Sequence, residues 1–244
     1  MTIVAPLGET PSLAGKAYAY GASRVGREHL RVGKNNQDGF SLRAEGRRAV
    51  AVVTDGCGSQ AHSEVGALLG AQFLAGHLWR APLTSELAEG ATLALGDFLS
   101  RLVSEVGGAS TAEVLERHFL FTFLAAVKEG PRAMVFGVGD GAVIVDGVLR
   151  QLDPGPDNAP AYCAYRLTGQ GDPRPQLHFE GDAAVVAVMT DGFDGLLRQD
   201  SERVTGLFEG ASEWRNPLTL QRRLNVLSDT ERVSDDATLV VLGG

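Results

Sequence analysis

The residues of this chain with the most capacity for chemistry are aspartates placed where apolar runs stop. Ala49 to Val53 reads as a short buried strand, and it runs into Thr54-Asp55-Gly56-Cys57-Gly58-Ser59, an acidic turn with alternating glycines. Much the same phrase returns downstream, where Ala184 to Met189 leads into Thr190-Asp191-Gly192. Asn35-Asn36-Gln37-Asp38-Gly39 precedes Phe40-Ser41-Leu42, and Ser234-Asp235-Asp236 precedes the apolar run Ala237 to Leu242. Carboxylates fixed at the ends of rigid strands can serve as oxygen ligands for hard divalent cations. Gly56 and Gly58 would let a main-chain carbonyl turn toward an ion held by Asp55. Asp-Gly is also ordinary turn chemistry, so any one of these phrases alone reads as a turn. Four of them at strand boundaries are harder to read that way.

The composition narrows what such a centre would serve. The chain has 244 residues and is 44% hydrophobic, enough for a substantial core in a single domain. Its most apolar run, Ala183 to Met189, is far shorter than the roughly 20 residues a spanning helix needs, so no membrane association is expected. The opening residues, Met1 to Pro6, lack the pattern of a signal peptide, and a cytoplasmic location is expected. Cys57 and Cys163 are too far apart for a CxxC pair, which argues against a disulfide scaffold or a cysteine zinc site. Cys57 reads either as a redox-sensitive thiol beside the site or as a small residue packed under the turn. The five histidines lack the spacing of an HExxH helix, so a histidine metal centre is not expected. With 30 acidic against 22 basic residues, the chain is a poor general partner for nucleic acid. No Ser-His-Asp or Cys-His arrangement suggests a covalent nucleophile.

The elements that must position these groups follow from periodicity. Residues 1–15, with Pro6, Gly8, Pro11 and Gly15, read as a flexible arm before a domain spanning 16–244. Ala17 to Ser23 suits a first strand, and Gly26 to Asn36 a polar loop whose Arg27, His29, Arg31 and Lys34 read either as an anion-binding set or as a solvated basic turn. Gly39–Ala44 and Ala49–Val53 read as a hairpin. Helical spacing then covers Ser63–Trp79, Thr84–Glu105 and Ser110–Arg117, with Gly107-Gly108 as a break. Strands at 119–127, 133–138, 142–145 and 148–152 read as a meander. A proline-rich connection at 153–182 is long enough to lie over a site as a flap, where Tyr162, Tyr165 and Arg166 would line a cleft or pack on the sheet. A strand at 183–190, a helical turn at 193–197, a helix at 211–227 and a strand at 237–242 complete the chain.

In this order the motifs resemble the metal-dependent protein phosphatases of the type 2C (PPM) family, bacterial branch. Asn36-Gln37-Asp38, Thr54-Asp55-Gly56-Cys57-Gly58-Ser59 with Ser63-Glu64-Val65-Gly66-Ala67, Val138-Gly139-Asp140, Thr190-Asp191-Gly192 and Asp235-Asp236-Ala237-Thr238 carry the likeness. The resemblance implies an α+β fold, an α-β-β-α sandwich of two antiparallel sheets flanked by helices. It implies two or three Mn²⁺ or Mg²⁺ ions, with Asp55 shared between two, the Gly56 carbonyl on one, Asp191 and Asp235 on the other, and Asp140 at a further metal. Asp38, counted with the metal site, would orient the attacking water, so that Asp38 and Asp55 carry the catalysis. Such ions would activate water and stabilise an in-line displacement at phosphorus.

The implied partner is a phosphorylated protein, with a Ser/Thr kinase or its targets among the candidates. The family's usual glutamate is Gln37 here, and its phosphate-binding arginine falls on Gly33, which leaves Arg31 and Lys34 as substrate-binding candidates. Ser23, His29, Gly33 and Asn36-Gln37-Asp38 together resemble a bacterial sub-branch. Cys57 stands where many members carry a histidine, and Asp194 is three residues after Asp191 where four is usual. These departures leave open a second reading, a phosphatase-fold module that binds a phosphoprotein or regulatory partner without turnover.

Overall fold

The computed structural model describes residues 15–105, 110–155, 160–231 and 233–244. The arm expected at 1–15 lies outside them except for Gly15, as does the Gly107-Gly108 break. Two five-stranded antiparallel sheets face each other. One has the order β1 (Tyr18–Arg24), β10 (Ala237–Gly243), β9 (Val185–Met189), β6 (Gly141–Val145), β7 (Val148–Leu152). The other has the order β2 (Asp38–Glu45), β3 (Arg48–Gly56), β4 (Phe121–Glu129), β5 (Arg132–Val138), β8 (Gln176–Asp182).

Period-two alternation builds the layers. In β3, Ala49, Ala51 and Val53 point between the sheets toward a core with Leu124, Val135, Val188, Val240 and Leu242. Val50 and Val52 point outward into a second core beneath α2 (Ser63–Arg80), α3 (Leu87–Glu105) and α4 (Thr111–His118). Both faces of the strand are buried, so its sequence reads as one continuous apolar run. The other sheet is covered by α6 (Asp194–Gln199), α7 (Ser201–Gly206) and α8 (Thr219–Glu231), whose Leu220 and Leu224 pack with Met189, Leu239 and Val241. The result is the expected α-β-β-α sandwich.

Four sequence expectations are corrected. The polar loop at 26–36 contains a short helix, α1 (Arg27–Val32), closed by Gly33 in the left-handed conformation at φ 68°. The meander is broken, since β5 and β6 belong to different sheets and the chain crosses between them at Gly139-Asp140-Gly141, with φ of 108° and 110° at the glycines. The connection at 153–182 is not all loop, because it ends in β8, an edge strand paired with β5, after the single-turn α5 (Tyr165–Thr168). The last helix begins at Thr219 after Pro217, and Ala211–Glu213 form a separate 3₁₀ turn.

Strand register sorts the connections between two poles. At one pole lie the tight turns at Gly46, Gly130, Asp146-Gly147 and 183–184, together with the pairing of Tyr18 with Gly243 near the chain ends. At the other lie the crossover at 139–140 and the four longer connections, which follow β1, β3, β7 and β9. Every predicted metal-site residue is at this second pole.

Candidate metal centre

Asp38 and Asp55 are opposite one another in the β2–β3 register. Asp140 sits on the crossover between sheets, Asp191 follows β9, and Asp235 and Asp236 precede β10. Asp55, Asp140, Asp191, Asp235 and Asp236 line one cavity of about 170 Å³ together with Gly56, and His29, Cys57 and Tyr162 share its wall. Asp38 lies outside that lining. It is only 4% exposed, and its Oδ2 accepts a hydrogen bond from Thr190 Oγ1 at 2.8 Å.

The glycines of the two Thr-Asp-Gly phrases have steric reasons. A Cβ on Gly56 would come 2.6 Å from the Gln37 carbonyl and 2.8 Å from Ser63 Oγ. One on Gly192 would collide with the Asp236 carbonyl. Either strand end can approach its neighbour only without a side chain.

Gln37 braces the centre. Its Nε2 donates to the Gln60 carbonyl at 2.9 Å and to Ser63 Oγ at 2.7 Å, its N–H donates to Asp236 Oδ2 at 2.6 Å, and its carbonyl accepts from Gly56 N–H at 3.1 Å. It thereby joins the loop after β3, the start of α2 and the start of β10. Its Oε1 is buried with no partner among the described residues.

The electrostatics are those of a site short of positive charge. Burial, then the Asp38 and Asp191 carboxylates, push the Asp55 carboxyl well above its ordinary range. Asp38 is raised in the same way by burial and by Asp236 and Asp191, against hydrogen bonds from Thr238 and Thr190 that pull it down. Asp140 rises to about 6, first through burial and then through Asp191. Asp191 is raised by burial and by Asp235, Asp194 and Asp236, although a hydrogen bond from the Asp55 carboxyl lowers it. Among the described residues no lysine or arginine lines the cavity. Five carboxylates around so small a space, and an orphaned amide oxygen beside them, fit divalent cations.

The predicted anion binders are elsewhere. Arg31 pairs with Glu28 at 2.7 Å on the exposed face of α1, and Lys34 Nζ donates to the Gly58 carbonyl. Neither lines the cavity. Asp194 opens α6 and borders an adjoining groove with Asp191 and Asp235. Cys57 is half-buried on the cavity wall, with Sγ 3.2 Å from Ser59 Oγ. Tyr162 shares a hydrogen bond with Cys57, and burial followed by that contact raises its phenol strongly.

Two residues to which the motifs gave no role are drawn into the site. Asp236 is 4% exposed and accepts from Gly26 N–H at 2.7 Å, Gln37 N–H at 2.6 Å and His29 Nδ1 at 2.8 Å. The adjacency Asp235-Asp236 was a signal for the first. For His29 the only signal was its place in the sub-branch pattern, because its partner lies 207 residues away.

The profile described as Protein phosphatase 2C matches residues 25–228. A comparison with curated proteins gave no match. Among solved structures, the serine/threonine phosphatase Stp1 from Staphylococcus aureus is 14% identical with a TM-score of 0.61, covering 98% of this chain and 99% of its own. The catalytic domain of the serine threonine protein phosphatase PstP, in complex with 2 manganese ions, is 18% identical at TM-score 0.59, covering 93% and 98%. The Ser-Thr phosphatase MsPP from Mycobacterium smegmatis, in complex with cacodylate, is 19% identical at 0.56, covering 94% and 99%.

Proposed function

Since this chain belongs to the protein phosphatase 2C family, we propose that it is a metal-dependent phosphatase acting on phosphoserine or phosphothreonine in proteins. The convergence of Asp55, Asp140, Asp191 and Asp235 on one cavity carries the reading. We assign two or three Mn²⁺ or Mg²⁺ ions to these four residues and the Gly56 carbonyl, with Asp38 beneath them. When bound, the ions supply an activated water and charge neutralisation at the phosphoryl group.

The chain's own residues prepare that chemistry. Thr190 holds Asp38 in place beneath the site, where we assign it the orienting of the attacking water. Gln37 and Ser63 set the loop that presents the Gly56 carbonyl. Arg31 and Lys34 remain candidates for binding the phosphorylated segment of the substrate outside the cavity. Tyr162 and Pro160 line one side of the cavity. Among the described residues no helix is long and apolar enough to cross a membrane. We assign the substrate to the cytoplasm, among a Ser/Thr kinase and its targets.

Gln37 and Gly33, at the positions of the family's usual glutamate and phosphate-binding arginine, favour a second reading, a module that binds a phosphoprotein without turning it over. Hydrolysis of a phosphothreonine peptide and of p-nitrophenyl phosphate, with Mn²⁺, with Mg²⁺ and with chelator, separates the two. Metal-dependent release that disappears in Asp55→Asn supports the phosphatase. Peptide binding with no release at any Mn²⁺ concentration removes it in favour of the module.

A further inference from the structure

Among the described residues His29 is the only basic side chain on the wall of the acidic cavity, and its ring is oriented from behind. Nδ1 lies 2.8 Å from Asp236 Oδ2, and Asp236 is itself fixed by the N–H groups of Gly26 and Gln37. A carboxylate that already takes three donors has little left for a cation. It is well placed to hold the imidazole as the tautomer with its proton on Nδ1, which leaves the lone pair on Nε2. Nε2 has no hydrogen-bond partner among the described residues. Histidines that bind metals commonly have this arrangement, one nitrogen tied to a carboxylate and the other free. The neighbouring Asp235 is exposed, and a ring nitrogen of His29 lies within 4.8 Å of carboxylate oxygens of Asp235 and Asp236.

We propose that His29 is a nitrogen ligand to one of the cations, beside Asp235, with Asp236 as the residue that positions it. The assignment rests on the metal-centre reading and is independent of turnover. A histidine in the ligand set makes the site a mixed nitrogen and oxygen one, which suits Mn²⁺, Co²⁺ or Zn²⁺ better than Mg²⁺, a cation that prefers oxygen alone. It also gives α1 a purpose, since this short helix has no buried residue of its own and is docked on the segment before β10 by Arg27 N–H to the Val233 carbonyl, Glu28 N–H to the Ser234 carbonyl and His29 to Asp236.

The test is electron spin-echo envelope modulation on the full chain loaded with Mn²⁺, prepared with natural-abundance and with ¹⁵N-labelled histidine. The proposal expects the coupling of a directly bound imidazole nitrogen, changed by the label and lost in His29→Gln. It also expects His29→Gln to weaken Mn²⁺ by about tenfold or more while Mg²⁺ affinity moves far less. A wild-type spectrum without histidine coupling overturns it, as does a failure to bind Mn²⁺ or an unchanged Mn²⁺ affinity in a folded His29→Gln protein. Histidine coupling in a protein that hydrolyses neither substrate would keep this ligand and remove the phosphatase. Hydrolysis by a protein whose bound Mn²⁺ sees only oxygen would do the reverse.

Discussion

Thr54-Asp55-Gly56 ends β3 in the sheet beneath α2, and Thr190-Asp191-Gly192 ends β9 in the sheet beneath α8, yet the two threonines face different partners. Thr54 Oγ1 donates to the Ala67 carbonyl at 2.9 Å and fastens its strand to the helix that covers it. Thr190 Oγ1 accepts from Thr238 N–H at 3.0 Å and donates to Asp38 Oδ2 at 2.8 Å, which carries it to the opposite sheet. One phrase is anchored within its own layer, and the other links the two layers at the site. The same three residues thus do different work because the topology hands them different neighbours.

The contrast is first tested at the carboxylates. Asp55 stands in the Gln37–Gly56 brace and Asp191 on the opposite sheet, so Asp55→Asn is expected to lower metal-dependent hydrolysis by about a thousandfold and Asp191→Asn by about a hundredfold. Both should keep the far-ultraviolet circular dichroism of the parent, and equal residual rates would erase the distinction. Next come the glycines. Gly192→Ala must displace the Asp236 backbone and is expected to lower Tm by about 5–10 °C, whereas Gly56→Ala, opposed partly by the Ser63 hydroxyl, should lower it by roughly half as much.

The threonines give the sharpest contrast at a smaller scale. Thr190→Val removes one of the two threonine hydrogen bonds to Asp38 and leaves the Thr238 N–H without its acceptor, and should cost about 1–3 kcal/mol in urea unfolding along with much of the activity. Thr54→Val should cost about 1 kcal/mol and spare the rate. Comparable loss of activity in both would show that the cross-sheet link is not what matters.

The smallest effect is the pH dependence of the metal-free protein. Asp140 titrates near 6 when folded and in the ordinary carboxylate range when unfolded, so the folded chain binds the extra proton between those values. Its contribution is therefore full below the ordinary range and lost as pH rises through about 6. Thermal melts from pH 4 to 7 should show the wild type losing Tm relative to Asp140→Asn across that window. Saturating Mn²⁺ should flatten the difference, and parallel curves without metal would contradict it.

Much of this site was legible because strand ends are legible. Runs such as Val50-Ala51-Val52-Val53 and Ala187-Val188-Met189 announce buried strands, and an aspartate directly after one must stand at a sheet edge. What could not be read was which edges meet. Val138-Gly139-Asp140-Gly141 looks like one more hairpin, and only the packing of the two sheets makes it a crossover that delivers Asp140 to the cavity. Gln37 read only as a departure from the family's usual glutamate, but its amide is occupied in holding Gln60 and Ser63. The contact of His29 with Asp236 depends on how β1 and β10 align, which no local pattern encodes.

The pairing of Tyr18 with Gly243 has a practical consequence. Gly244 packs against the backbone of Lys16 and Ala17, so residues 16 and 244 lie side by side at the pole of tight turns. Across the seven residues of β10 that pole is about 23 Å from the carboxylates. A linker joining 244 to 15, with new ends opened at the Gly46 turn, would rewire the chain while keeping every strand neighbour. Attachment to a bead or fusion to another domain at either end would leave the mouth of the cavity turned away from the tether and open to a bulky substrate.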